Sequence, residues 1–170
     1  MSRSACTMAL LVLLTPGVCI SGEARLSAGG FGSVRFGMSV EQAASRLGTP
    51  LRKVDATYQD ERYVVVPTRG YAGVSFTVSA NGKVDGAYIA YNAPGPKTDR
   101  GLHVGSPAND VWRRYGRQVE VRAYQCGSAF LVYTYRASST PEHGVVYTVS
   151  DSGLVEGIMA GKLQYVSAPC

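Results

Sequence analysis

The side chains able to do chemistry in this chain of 170 residues are few and stand apart. His103 and His143 belong to no HExxH pair and have no CxxC near them, so they bring no ligand set for zinc. No GxSxG elbow presents a serine nucleophile. The GGFG run at Gly29 to Gly32 lacks the Lys and the Ser or Thr with which a P-loop holds phosphate. Asp60-Glu61 is a carboxylate pair in an expected turn, and glycoside hydrolysis would need a second carboxylate set apart from it. Catalysis requires partnered groups, and single histidines read as surface residues. The expectation is a protein that is not an enzyme, with no catalytic residue, no metal and no cofactor. A hydrolase would require His103 or His143 beside an aligned serine or carboxylate.

Aromatic residues are the more suggestive set. Eleven tyrosines outnumber four phenylalanines and one tryptophan. Tyr63, Tyr88 and Tyr91 fall in the first half, and Tyr124, Tyr133, Tyr135 and Tyr147 in the second, with Arg62 and Arg122 close by in sequence. Tyr and Arg are enriched at protein interfaces because they combine contact area with hydrogen-bonding ends. Along one stretch Phe130, Val132 and Thr134 alternate with Leu131, Tyr133 and Tyr135, the period of a strand. If one face of such a sheet packs on helices, the other displays tyrosines as a binding surface. The competing reading is that these tyrosines close a second small core between the two halves.

The elements that would carry these residues come in a duplicated order. Gly73 to Gly86, GVSFTVSANGKVDG, aligns without a gap to Gly144 to Gly157, GVVYTVSDSGLVEG, with eight of fourteen positions identical. Each reads as a β-hairpin, with apolar residues alternating before a turn at Asn81-Gly82 or Ser152-Gly153. Upstream, Val34 to Gly48 matches Leu102 to Gly116. Ser39 and Gln42 form a capping-box signature, Val40, Ala43, Ala44 and Leu47 share one helical face, and Gly48 and Pro50 end the helix. Ser106 caps the second helix, Pro107 opens it, Ala108, Val111, Trp112 and Tyr115 make its stripe, and Gly116 closes it. Helices this short are unstable alone and must lie on a sheet. The expected fold class is therefore α+β: two tandem repeats, each a short helix followed by a four-stranded antiparallel meander, sharing one continuous or paired sheet. The expected boundaries are a signal peptide over 1–24, a flexible lead-in over 25–33, repeat one over 34–93, a linker over 94–101 and repeat two over 102–170.

Composition bounds the setting. A hydrophobic content of 45% with 17% charged residues fits a globular domain. Arg3, the apolar run Met8 to Ile20 and small residues before a cut after Ala24 read as a secretory signal, so the expected location is periplasmic or secreted. The run is too short for a stable transmembrane helix. Cys19 raises a lipid anchor, but Pro16-Gly17-Val18 is a poor lipobox. Cleavage would leave Cys126 and Cys170, which in an oxidising compartment most simply form one disulfide. The net charge of +5 is spread out, with Arg113, Arg114 and Arg117 the one local cluster. Nucleic acid is therefore not an expected partner.

Phe36 to Gly48, FGMSVEQAASRLG, resembles the helix unit shared by two related families. These are the tandem-repeat β-lactamase inhibitory proteins and the small lipoprotein of the outer-membrane β-barrel assembly machine. Val104 to Gly116 is a second instance, with Ser106 where the family places Met. The resemblance implies a secreted duplication presenting a sheet to a target protein. The inhibitor family has a disulfide in each repeat, whereas this chain offers only Cys126 and Cys170, and no target-contact residue carries over. The function expected is an exported protein-binding module, of inhibitor or immunity type or an accessory of envelope assembly. The alternative is a periplasmic protein binding a small ligand or glycan between the repeats.

Overall fold

The computed structural model describes residues 23–57, 62–91, 93, 95–126 and 128–166. The signal-peptide and lipid-anchor expectations, the Asp60-Glu61 pair and the Cys126–Cys170 disulfide lie outside the described residues and side chains. No described helix is long and apolar enough to cross a membrane.

Three short strands come first: β1 (Arg25–Ser27), β2 (Gly30–Phe31) and β3 (Val34–Arg35). Helix α1 (Val40–Leu47) follows, then β4 (Leu51–Thr57), β5 (Tyr63–Pro67), β6 (Val74–Val78), β7 (Val84–Ile89) and β8 (Lys97–Thr98). The second half holds α2 (Ala108–Tyr115), a 3-10 turn (Gly116–Gln118), β9 (Val119–Cys126), β10 (Ser128–Arg136), β11 (His143–Val149), β12 (Val155–Lys162) and α3 (Leu163–Val166).

The expected fold class is corrected. The described residues are mostly β, 48% strand against 18% helix, and two helix-plus-meander repeats do not describe them. They form an eight-stranded antiparallel sheet, in the order β4-β5-β6-β7-β12-β11-β10-β9, and a mixed four-stranded sheet in the order β3-β2-β1-β8. In the small sheet β1 runs parallel to β8, with Leu26 opposite Thr98. The segment read as a flexible lead-in and the segment read as a linker thus pair with each other. Strands of two or three residues have no period to detect, so their signal lies in tertiary burial: Leu26, Phe31 and Val34 are all enclosed.

Local rules explain α1 fully. The Ser39 hydroxyl accepts from the Gln42 amide, the Gln42 side chain accepts from the Ser39 amide, and Gly48 ends the helix at φ 68°. The second helix departs from the expectation. Pro107, not Ser106, is its cap and gives no side-chain bond. The Ser106 hydroxyl instead accepts the His103 amide in the preceding turn.

One apolar core lies between the two helices and the small sheet on one side and one face of the large sheet on the other. Ala43 and Leu47 of α1, Val111 and Tyr115 of α2, and Leu26 and Phe31 meet Phe76, Ile89, Tyr147 and Ile158 there. The two halves of the large sheet join at β7 and β12, where Ile89 pairs with Ile158, Ala87 with Ala160 and Gly86 with Gly161.

Candidate functional site

Strand register decides which tyrosines are free to bind. Phe76 pairs with Ala87 and Ile89 with Ile158, so these residues share the face that meets the helices. Ser75 and Thr77 of β6, Tyr88 of β7, Met159 of β12 and Thr148 of β11 occupy the opposite face. On β10 the same alternation sends Leu131, Tyr133 and Tyr135 to the helix side and Phe130, Val132 and Thr134 to the other. A second, smaller cluster of Val132, Val146, Leu163 and Val166 seats α3 on part of that other face, with Tyr124, Phe130 and Met159 against it.

The predicted residues therefore separate. Tyr133 is buried, Tyr135 and Tyr63 are half-buried against the main core, and Tyr135 packs on Tyr115 with ring centres 4.4 Å apart. These three pack with the main core between the large sheet and the helices. Lys53 Nζ lies 4.6 Å above the Tyr63 ring. Tyr124 lies on the opposite face, stacked on Phe130. Arg122, on that face of the outermost strand, bonds to Glu120, and this contact holds its guanidinium above the ordinary arginine range. Tyr91 follows β7 and is 73% exposed.

What the fold does assemble is a cavity of about 420 Å³ on the face away from the helices. Its floor is Val64, Ser75, Thr77, Tyr88, Thr148 and Met159, and its walls include Arg62, Phe130 and Tyr165. The Arg62 guanidinium lies 4.1 Å from the centre of the Tyr165 ring, a cation–π contact that places charge at the cavity wall. Tyr88 borders a second hollow with Tyr91, Thr148, Glu156 and Gly157, so its ring separates two adjoining depressions. Gly157 makes this possible: a Cβ there would stand 3.1 Å from the Tyr88 ring and hydroxyl. At Gly86 a Cβ would come 2.6 Å from the Thr77 hydroxyl, so the absent side chain keeps the floor open.

Sequence reasoning named Arg62, Tyr88 and Tyr91 but missed Ser75, Thr77, Phe130, Thr148, Met159 and Tyr165. The hydroxyl residues carried a signal, since they alternate with the apolar core residues on β6 and β11. Tyr165 carried none, because its place depends on how α3 folds back.

The remaining chemical candidates stay separate. The His103 ring bonds through Nδ1 to the Val104 carbonyl at 2.7 Å, and His143 has the Glu142 carboxylate at 3.4 Å and stacks on Phe36. Among the described residues no group of three or more His, Cys, Asp or Glu is placed to hold a metal ion. Asp85 is buried, and neither of its carboxylate oxygens has a hydrogen-bond partner among the described residues. It is the extra residue of β7 at a register shift opposite Thr77 and Val78.

Comparison with protein-family models, with curated proteins and with solved structures returns no match.

Proposed function

We propose that this chain is an exported, non-enzymatic binding module whose partner protein docks on the helix-free face of the large sheet, centred on Tyr88. Inhibitor-type binding and a role as an envelope-assembly accessory both fit such a module. The observation that supports it is the composition of that face. Two adjoining hollows share Tyr88 and Thr148, and the larger is walled by Arg62, Tyr165 and Phe130, with the Ser75, Thr77 and Thr148 hydroxyls on its floor. Interfaces concentrate their binding energy in aromatic and arginine anchors that enter such hollows. The Tyr133 and Tyr135 surface offered by the sequence is not part of this reading, because both rings pack inward.

A small ligand is the second reading, favoured by one observation. A cavity of about 420 Å³ is within the size range of small-molecule sites.

The test is recovery of partners from an envelope extract by wild type and by a Tyr88→Ala/Met159→Glu variant whose melting temperature is unchanged. Loss of one specific protein with the variant is the expected result. Equal recovery overturns the protein-docking reading. Native mass spectrometry of the wild type addresses the second reading: a co-purifying small molecule lost in the variant supports it.

A further inference from the structure

Among the described residues the large sheet ends in two edges without a further strand, β4 and β9, and they are guarded differently. A free edge is a template for another strand, and proteins blunt it with bulges and charge. On β4 the ladder is broken by a register shift between Val54 and Thr57, and Arg52 and Lys53 stand side by side, both exposed. β9 carries exposed charges at Glu120 and Arg122 but no bulge. Its eight residues pair with β10 without a break, from Val119 opposite Tyr135 to Cys126 opposite Ser128.

The charges on β9 are self-complementary. Glu120 and Arg122 flank Val121 on one face and bond to each other at 2.6 Å. In an antiparallel pair of β9 strands centred on Val121, Glu120 falls opposite Arg122 of the partner subunit and the reverse. Val119 falls opposite Ala123 of the partner subunit. Four charges of alternating sign would then share one face, the arrangement that stabilises cross-strand pairs.

The other face of the same edge is apolar. Trp112 is 43% exposed and Leu131 is 40% exposed, two of the four large hydrophobic residues so exposed among the described residues. Trp112 meets Tyr133 edge-on, and Tyr133 is the residue paired to Val121. Leu131 is paired to Ala123. A strand without a bulge, a charge pattern that fits its own reverse and an exposed apolar flank thus coincide at one edge.

From this we infer that β9 is a self-association edge: two copies of the chain join antiparallel across β9, with Val121 on the two-fold axis, extending the sheet across both subunits. This isologous contact uses one patch twice and leaves the Tyr88 face of each copy uncovered. It is independent of the function proposed above, and substitutions at Tyr88 or Met159 leave it unchanged.

Sedimentation velocity on the full-length chain, over about 1–100 µM, tests this. The wild type is expected to pass from monomer to dimer in that range. Glu120→Arg and Arg122→Glu, each at an exposed position, put like charges opposite one another and are expected to weaken the dimer at least about ten-fold. Mixed in equal amounts, the two variants again place opposite charges across the axis, and dimer mass is expected to return. Circular dichroism and melting temperature check that each variant is folded. A wild type that stays monomeric at about 100 µM overturns the inference. So do single variants that associate as the wild type does, or a mixture of folded variants that fails to associate.

Discussion

Replacing Tyr147 with phenylalanine removes one oxygen from the centre of the main core. The Tyr147 and Tyr115 hydroxyls lie 2.8 Å apart, with Tyr147 wholly buried and Tyr115 4% exposed. Either single variant, Tyr115→Phe or Tyr147→Phe, leaves the other hydroxyl buried without this partner, at a cost of about 1–2 kcal/mol. The double variant removes both polar groups and is expected to cost no more than Tyr147→Phe alone, so the cycle is non-additive. Urea unfolding at neutral pH measures all three. Burial also raises both phenols, Tyr147 to about 12 and Tyr115 further. The unfolded phenols ionise near 10, so this contribution is complete below that pH and is lost as pH climbs toward the folded value. For Tyr147 a rise of about two pH units corresponds to about 3 kcal/mol. The stability gap between wild type and Tyr147→Phe should therefore narrow between about pH 10 and pH 12. A gap that stays constant to pH 12, or single effects that add in the double variant, would refute the reasoning.

Two further outcomes concern the seam of the large sheet. Asp85→Val replaces a buried carboxylate lacking hydrogen-bond partners among the described residues with a strand-forming apolar side chain, and is expected to stabilise by about 1–3 kcal/mol in urea. Destabilisation there would show that the carboxylate is held by a group outside the described residues. Gly161 sits at φ 144°, and a Cβ would stand 2.4 Å from the Asp85 carbonyl oxygen and 2.8 Å from the Gly86 Cα. Gly161→Ala is expected to cost about 2–4 kcal/mol and to raise hydrogen exchange along β7 and β12. An alanine variant as stable as wild type would disprove that close approach.

Residue pattern alone determined the features governed by near neighbours. Ser39, Gln42 and Gly48 specify both ends of α1 through bonds spanning a few residues, and they form as written. Strict alternation locates β6, β10 and β11, since a strand with one buried face must repeat every second residue. Three matters were left to tertiary structure. Leu26, Phe31 and Thr98 are buried because β1, β2 and β8 meet across the chain, and strands of two or three residues carry no periodic signal. The side on which Tyr133 or Tyr88 emerges depends on where the helices and the small sheet pack, since alternation gives two faces without saying which is covered. The cavity is legible least of all. Arg62, Phe130, Thr148 and Tyr165 come from four distant parts of the chain, and only sheet register and the return of α3 place them around one space.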